Sequence, residues 1–373
     1  MKVYLDNNAT TVMIPEVWDA MRSMEGIPLN PSSTFHQYGQ KARSLLEASR
    51  KNISDLLGAS PRDLFFTSSA TEAAATLIGG IPQDMRIITT KIEHSCVHEN
   101  VLRRKTRGNP VIYLPVELSG HVSLQALKAA LEEPYPRDTL LILSSVNSEV
   151  GALLPLEEIA EMAHAKNAYL LIDAVAQVGK EPLKLLPGIS ALFLSAHKFH
   201  GPKGVGFFYA DPLFPFKSLL LGGPQEHQKR AGTENVEGIL GLNAAFSLAQ
   251  SGVKGYKDHM ETLRDAFERR LFDLGITFEI NGQGRRICNV SNLHFPGIDA
   301  EALLIALDQR GVCASSGSAC GSGQRDSRVL TEIGFSREKA SCSVRFSLSR
   351  QTTEEEISYA ADCIARICQN LRR

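Results

Sequence analysis

Apolar runs at positions 64–67, 139–143, 169–172, 191–194 and 204–209 are short, β-rich and almost free of polar interruptions. A strand with one wet face alternates apolar and polar residues, so runs this continuous predict strands buried on both faces, as in a mainly parallel sheet covered by helices. Between several of them the period lengthens. Glu157-Glu158-Ile159-Ala160-Glu161-Met162-Ala163 reads as a helix, with Pro155 near its first turn, where a missing N–H costs nothing. The middle of the chain is therefore alternating α/β.

The pattern changes at Ser251-Gly252-Val253-Lys254-Gly255, where two glycines break a long helix-like stretch ahead of an amphipathic segment at 256–274. We place a domain boundary there. Beyond it come a weak strand at 289–295, a helix at 300–309, a strand at 343–348 and a last helix opened by Thr353 with Glu356 three residues on, the spacing of a capping box. The expected division is a large α/β domain over residues 15–250 and a smaller α+β domain made of 1–14 and 251–373. The chain contains no internal repeat and no low-complexity segment.

Ligands of α/β sheets collect beyond the carboxyl ends of the strands. The first of the apolar strands leads into Thr67-Ser68-Ser69-Ala70-Thr71-Glu72 and an alanine-rich helix, so hydroxyls and free N–H groups gather at a helix N-terminus. That is either a phosphate site or an ordinary helix cap. The strand 169–172 delivers Asp173 and the strand 191–194 delivers Ser195-Ala196-His197-Lys198 to the same sheet edge. Pyridoxal 5'-phosphate needs a lysine for its imine, an acid at its pyridine nitrogen and a phosphate cup, and each part has a candidate here.

The segment Ser195-Ala196-His197-Lys198-Phe199-His200-Gly201-Pro202-Lys203-Gly204 resembles the lysine segment of the cysteine desulfurases of the NifS/IscS type, group I, which are fold-type-I pyridoxal-phosphate enzymes. The resemblance continues, in the family's order, through Tyr4-Leu5-Asp6-Asn7-Asn8-Ala9-Thr10-Thr11, Asn30-Pro31-Ser32-Ser33, Glu93-His94, Val146-Asn147-Ser148-Glu149-Val150-Gly151, Arg230-Ala231-Gly232-Thr233 and Ser315-Ser316-Gly317-Ser318-Ala319-Cys320. It implies that Lys198 carries the cofactor, Asp173 pairs with the ring nitrogen and His94 stacks on the ring. It also implies that Thr71, Ser195 and His197 bind the phosphate with the Ala70 backbone, and that Thr233 reaches the phosphate of a neighbouring subunit in a homodimer. Asn147 matches a residue touching both cofactor and substrate.

An amino-acid substrate brings a carboxylate, for which a guanidinium fork is the strongest partner. Arg345, in Ser343-Val344-Arg345-Phe346-Ser347, is the candidate that the resemblance supports, with a structural ion pair as the other reading. Cys320 lies in a run of small residues that cannot pack a core, so its thiol has room to travel. The resemblance makes it the residue that takes sulfur from L-cysteine as a persulfide, releasing L-alanine, for a protein acceptor such as an iron–sulfur scaffold or a sulfur carrier. His94 is a candidate proton carrier.

Two departures stand out. The family pattern Asp-x-x-Gln, whose glutamine meets the ring hydroxyl, is here Asp173-Ala174-Val175-Ala176-Gln177, with Gln177 one place late. One residue turns a helical position by about 100°, so this contact is expected only with a local adjustment. The sequence also ends soon after its last helix, without the tail that IscS-like members use to dock a scaffold, so partner recognition is expected to differ. A selenocysteine lyase would share every cofactor residue, and a weakened sulfur-transfer partner that keeps the fold would account for the displaced Gln177.

A formal charge of −1 offers no electrostatic footprint for nucleic acid or an anionic membrane, and small-molecule chemistry is expected. The start Met1-Lys2-Val3-Tyr4-Leu5-Asp6 carries a carboxylate where a secretory signal needs an apolar run, so a cytoplasmic protein is expected. The 7 cysteines are odd in number and include no Cys-x-x-Cys pair, which fits a reducing compartment and no metal site.

Overall fold

The computed structural model describes residues 1–317 and 327–371. The chain opens with a short strand, β1 (Val3–Tyr4), and then lays down β2 (Leu64–Thr67), β3 (Arg86–Thr90), β4 (Val111–Leu114), β5 (Thr139–Ser144), β6 (Tyr169–Asp173), β7 (Ala191–Ser195) and β8 (Gly206–Ala210). The last third adds β9 (Glu279–Asn281), β10 (Val290–His294), β11 (Val312–Cys313) and β12 (Ser343–Ser347).

Seven strands form one sheet in the order β2-β8-β7-β6-β5-β3-β4. Pairing is parallel from β7 through β6, β5 and β3 to β4, and β8 runs antiparallel to both β7 and β2. The continuous apolar runs have a direct cause. In β5, Leu141 and Leu143 enter the core on one face while Leu140 and Ile142 enter the core on the other, and β7 divides Leu192 and Leu194 from Ala191 and Phe193 in the same way. With both faces covered by helices, neither set can be polar.

Strands β3 and β4 are not among the expected strands, although Val111-Ile112-Tyr113-Leu114 is itself a continuous apolar run. Arg86 opens β3 with a charge, and it is buried because its guanidinium donates to Thr139 Oγ1 (3.1 Å) and to the Glu133 carbonyl (3.0 Å). The strand expected at 204–209 starts two residues later, because Gly204 sits at φ +77° in a turn.

β10 pairs antiparallel with β12 and β9 in a second sheet, which shares an apolar core with the helices Val253–Asp273, Ala300–Asp308 and Glu354–Leu371. β1 pairs parallel with β11, so the first residues of the chain join its last third. Two long helices, Val236–Ser251 and Val253–Asp273, meet at Gly252, the break expected from the two glycines. Thr353 and Glu356 make the capping box: the Thr353 N–H donates to Glu356 Oε2 (2.8 Å) and the Glu356 N–H to Thr353 Oγ1 (3.2 Å). Among the described residues no helix is long and apolar enough to cross a membrane.

Candidate active site

The carboxyl ends of β2, β5, β6 and β7 open onto a cavity of about 260 Å3, which the residues after β1 also enclose. Asp173 ends β6 and Ser195 ends β7, where a tight turn, Ala196–Lys198, swings the lysine into the cavity. Lys198 Nζ donates to the carbonyls of Asn8 (2.6 Å) and Ala9 (2.9 Å). The N-terminal segment, quoted in the sequence only as part of a resemblance, thus orients the amine.

The helix Ala70–Gly79 begins at the cavity wall. Ser69 caps it, its hydroxyl accepting from the Glu72 N–H at 3.2 Å. The first-turn N–H groups of Ala70 and Thr71, which a helix cannot satisfy internally, belong to cavity residues. Ser195 Oγ is buried without a hydrogen-bond partner on the same wall. An orphaned buried hydroxyl next to free helix-terminal N–H groups is what an anionic ligand would satisfy. His197 lines the wall and is steadied by Thr10, with Nδ1 3.1 Å from Thr10 Oγ1.

Asp173 is buried, with Oδ1 accepting from the Val175 N–H at 3.0 Å. Burial pushes its carboxyl up to about 7, against the Val175 hydrogen bond, and the charge of Glu93 adds to the rise. A carboxyl so desolvated ionises readily only opposite a cation, and a protonated pyridine nitrogen supplies one. Glu93 is itself held by Ser144 Oγ (2.5 Å), the Ser144 N–H (2.8 Å) and Thr90 Oγ1 (2.7 Å), yet burial still raises its pKa.

His94 is the N-cap of the helix Ser95–Thr106. Its Nδ1 accepts from the Cys96 N–H at 3.1 Å, with Cys96 Sγ also at 3.1 Å. A ring nitrogen that accepts cannot carry the proton, so the neutral tautomer is Nε2–H. Burial, with the charges of Lys198 and Arg328, lowers His94 to about 4. The guanidinium of Arg328 donates to the Glu93 carbonyl (2.5 Å) and to the Lys91 carbonyl, clasping the segment on which His94 sits.

Other expected residues fall less simply. Asn147 lines the cavity, but its Oδ1 accepts from the Glu149 and Val150 N–H groups (both 3.0 Å), which shapes the turn. Gln177 does not reach the cavity: its Nε2 donates to the Pro182 carbonyl at 2.7 Å, and Ala176 stands at the wall instead. With the one-place displacement, the buried amide faces the Pro182 carbonyl and not the cavity. Arg345 lies behind the wall, donating to Asp6 Oδ1 (2.9 Å) and to the carbonyl of the wall residue Ser148 (3.2 Å), with its buried Nε unpartnered. Thr233 is exposed and takes no part in the cavity of its own chain. Cys320 lies outside the described residues. The sequence reading assigned no role to Asn8, Ala9, Cys96, Lys180 or Arg328, all cavity residues, because each acts through a neighbour distant in sequence or through a turn.

The aminotransferase class-V family model matches residues 3–359. Cysteine desulfurase 2 of Trichormus variabilis is 39% identical over 379 residues, covering 99% of this chain and 94% of that protein. Cysteine desulfurase IscS of Dictyoglomus turgidum is 36% identical over 384 residues, covering 100% of this chain and 95% of its own length. Among solved structures, a NifS-like protein superimposes with a TM-score of 0.91 at 34% identity, covering 99% of this chain and 100% of that one. A NifS-like protein from Rickettsia africae gives 0.90 at 29% identity, covering 98% and 99%. On the match along nearly its whole length, together with these relatives, the chain belongs to the aminotransferase class-V family, among the cysteine desulfurases of the IscS and NifS type.

Proposed function

We propose that the protein is a pyridoxal-phosphate-dependent cysteine desulfurase that converts L-cysteine to L-alanine and holds the sulfur as a persulfide on Cys320. The observation that carries this reading is the convergence of Lys198, Asp173, His94 and the Ala70–Thr71 helix terminus on one cavity. The donor set fits the cofactor: an amine, a buried acid in need of a cation, and an orphaned hydroxyl beside free N–H groups. When bound, the cofactor supplies a ring that accepts electrons and weakens the Cβ–Sγ bond of the substrate.

Each residue then has a task. Lys198 holds the cofactor and, with its amine released, carries the proton at the substrate Cα. Asp173 keeps the ring nitrogen protonated. Ala70, Thr71, Ser195 and His197 take the phosphate, with Thr233 serving a neighbouring subunit in a homodimer. His94 covers the ring as a neutral imidazole whose Nε2–H is a donor, so near neutral pH it gives a hydrogen bond and does not act as the base. Asn147 holds the turn beside the substrate. Arg345 meets the substrate carboxylate by exchanging Asp6, its present partner at 2.9 Å. The Cys320 thiolate attacks the substrate Sγ: the S–S bond forms, the Cβ–Sγ bond breaks, and the carbon takes up a proton to leave as alanine. The sulfur then passes to a protein acceptor such as an iron–sulfur scaffold or a sulfur carrier, and the setting is cytoplasmic.

The test is to add L-cysteine to the purified protein, quantify alanine and map persulfide by mass spectrometry. Alanine with a persulfide on the Cys320 peptide is expected, and Lys198→Ala should abolish both. Alanine without that modification removes Cys320 from the mechanism, and failure of borohydride to trap a ligand on Lys198 removes the cofactor.

A further inference from the structure

Lys180 follows β6 on the turn beyond Ala176 and Gln177, and it is only 5% exposed. It lines the cavity together with Asp173, Ala176 and Lys198. An ammonium has three donors, and a buried one is normally paired. Here Nζ makes one long hydrogen bond, 3.5 Å to the Lys198 carbonyl, and no ion pair joins it to any described residue.

The groups around it do not neutralise it. From the segment after β7 it faces Lys198 and His200, the latter lowered to about 4 by burial and so neutral. From the segment before β10 comes Cys288, whose Sγ donates to the Lys180 carbonyl at 3.6 Å and whose thiol burial pushes up to about 12, so it too is uncharged. Arg350 lines the adjoining pocket and adds positive charge. The neighbouring Glu181 is taken by Lys257 at 2.7 Å. Asp173 shares the cavity but spends Oδ1 on the Val175 N–H.

We propose that Lys180 is a second working amine of this cavity, a buried cation whose charge lowers the proton affinity of the nitrogen at Lys198 and so sets the pH at which the site is ready for its amino acid. The inference rests on the assignment of Lys198 as the cofactor lysine. Like charges in a shared low-dielectric pocket disfavour a second proton, and the geometry supplies both the closeness and the missing counter-charge. Burial together with Lys198 brings Lys180 itself down to about 8, so it is cationic at neutral pH and sheds its proton just above. With the Gln177 amide on Pro182 and Ala176 at the wall, Lys180 and Asp173 are the polar side chains that the stretch from the end of β6 offers the cavity.

The experiment is a pH titration of the cofactor's visible absorption in the holoenzyme, for the parent and for Lys180→Met, Lys180→Gln and Lys180→Arg. Both neutral variants should move the midpoint up by about one pH unit, a tenfold gain in proton affinity, while Lys180→Arg, which keeps the charge, stays near the parent. Unchanged midpoints in neutral variants that hold a full complement of cofactor overturn the proposal. So does loss of cofactor in Lys180→Arg as well as in the neutral pair, because the site would then depend on the shape of lysine and not on its charge. A parent with no visible band and no borohydride-trapped adduct at Lys198 is a failure of the cofactor assignment, separate from this one.

Discussion

At the scale of single residues, the cavity works by holding groups in states they would not keep in water. His94 stays neutral because burial and the charges of Lys198 and Arg328 disfavour its protonation, with Nδ1 committed to the N-terminus of the helix it caps, and burial raises Asp173 to about 7. With His94 near 4, a rate profile between pH 5.5 and 7 should show no limb that disappears in a His94→Gln variant with residual activity; a limb lost on that substitution would make His94 a titrating base. Gln177 offers the opposite case. Its amide bonds the Pro182 carbonyl, so Gln177→Ala should cost roughly 1 kcal/mol of stability and leave the cofactor's absorption and retention unaltered. Equilibrium unfolding and the visible spectrum check the two halves, and a spectral shift would return the side chain to the ring.

At the scale of elements, one buried ion pair ties the sheet to its cover. Arg50, on the helix Gln37–Leu57, makes a two-pronged contact with Glu226 (2.7 and 2.8 Å) and reaches the Leu64 carbonyl, while Glu226 accepts from the Phe66 N–H at 2.7 Å. The side chains are 2% and 1% exposed, so removing one leaves the other charge buried. Glu226→Ala should cost about 3–5 kcal/mol, and Arg50→Met with Glu226→Leu should recover part of it, because the double variant still leaves the Phe66 N–H and the Leu64 carbonyl without the side-chain partners they lose. Chemical denaturation of the single and double variants measures both, and a single variant within about 1 kcal/mol of the parent would refute the account. Gly206 fixes another junction: a Cβ there would lie 2.5 Å from the Leu194 carbonyl, inside the β7–β8 pairing that presents Ser195. Gly206→Ala should therefore weaken cofactor retention as well as stability, which dialysis followed by absorbance would reveal.

At the scale of the whole molecule, the buried histidines set a response to acid. His94, His197 and His200 are all lowered to about 4, chiefly by burial. Between about 4 and the free value near 6.5 the unfolded chain binds three protons there that the native state refuses. Asp173, raised by burial to about 7, opposes this by keeping a proton that an unfolded carboxylate has given up, and burial shifts Glu93 in the same direction. His98 and His294 are lowered as well, so the histidines together make the unfolded state the stronger proton binder in this window, and the stability they contribute, complete above about 6.5, is lost as the pH drops toward 4. Thermal unfolding between pH 4.5 and 7 should show this decline, and His200→Gln should make it shallower. A melting temperature that is flat or rises toward acid would overturn the assignment.

Much of this was legible in the chain. Continuous apolar runs fixed the buried strands β2, β5, β6, β7 and β8 because two covered faces tolerate no alternation. The residues ending β6 and β7 exposed the acid and the lysine because parallel strands must present their carboxyl ends together. What pattern could not reach was whatever depends on pairing between distant segments. Strand β3 hides behind an arginine that only Thr139 and Glu133 make burial-compatible, and Lys198 takes its direction from two carbonyls of the N-terminal segment. The neighbours of Lys180 come from three parts of the chain. Composition and period encode burial, a property each residue carries with it; protonation state and side-chain direction depend on which atoms arrive from elsewhere, and only the folded chain decides that.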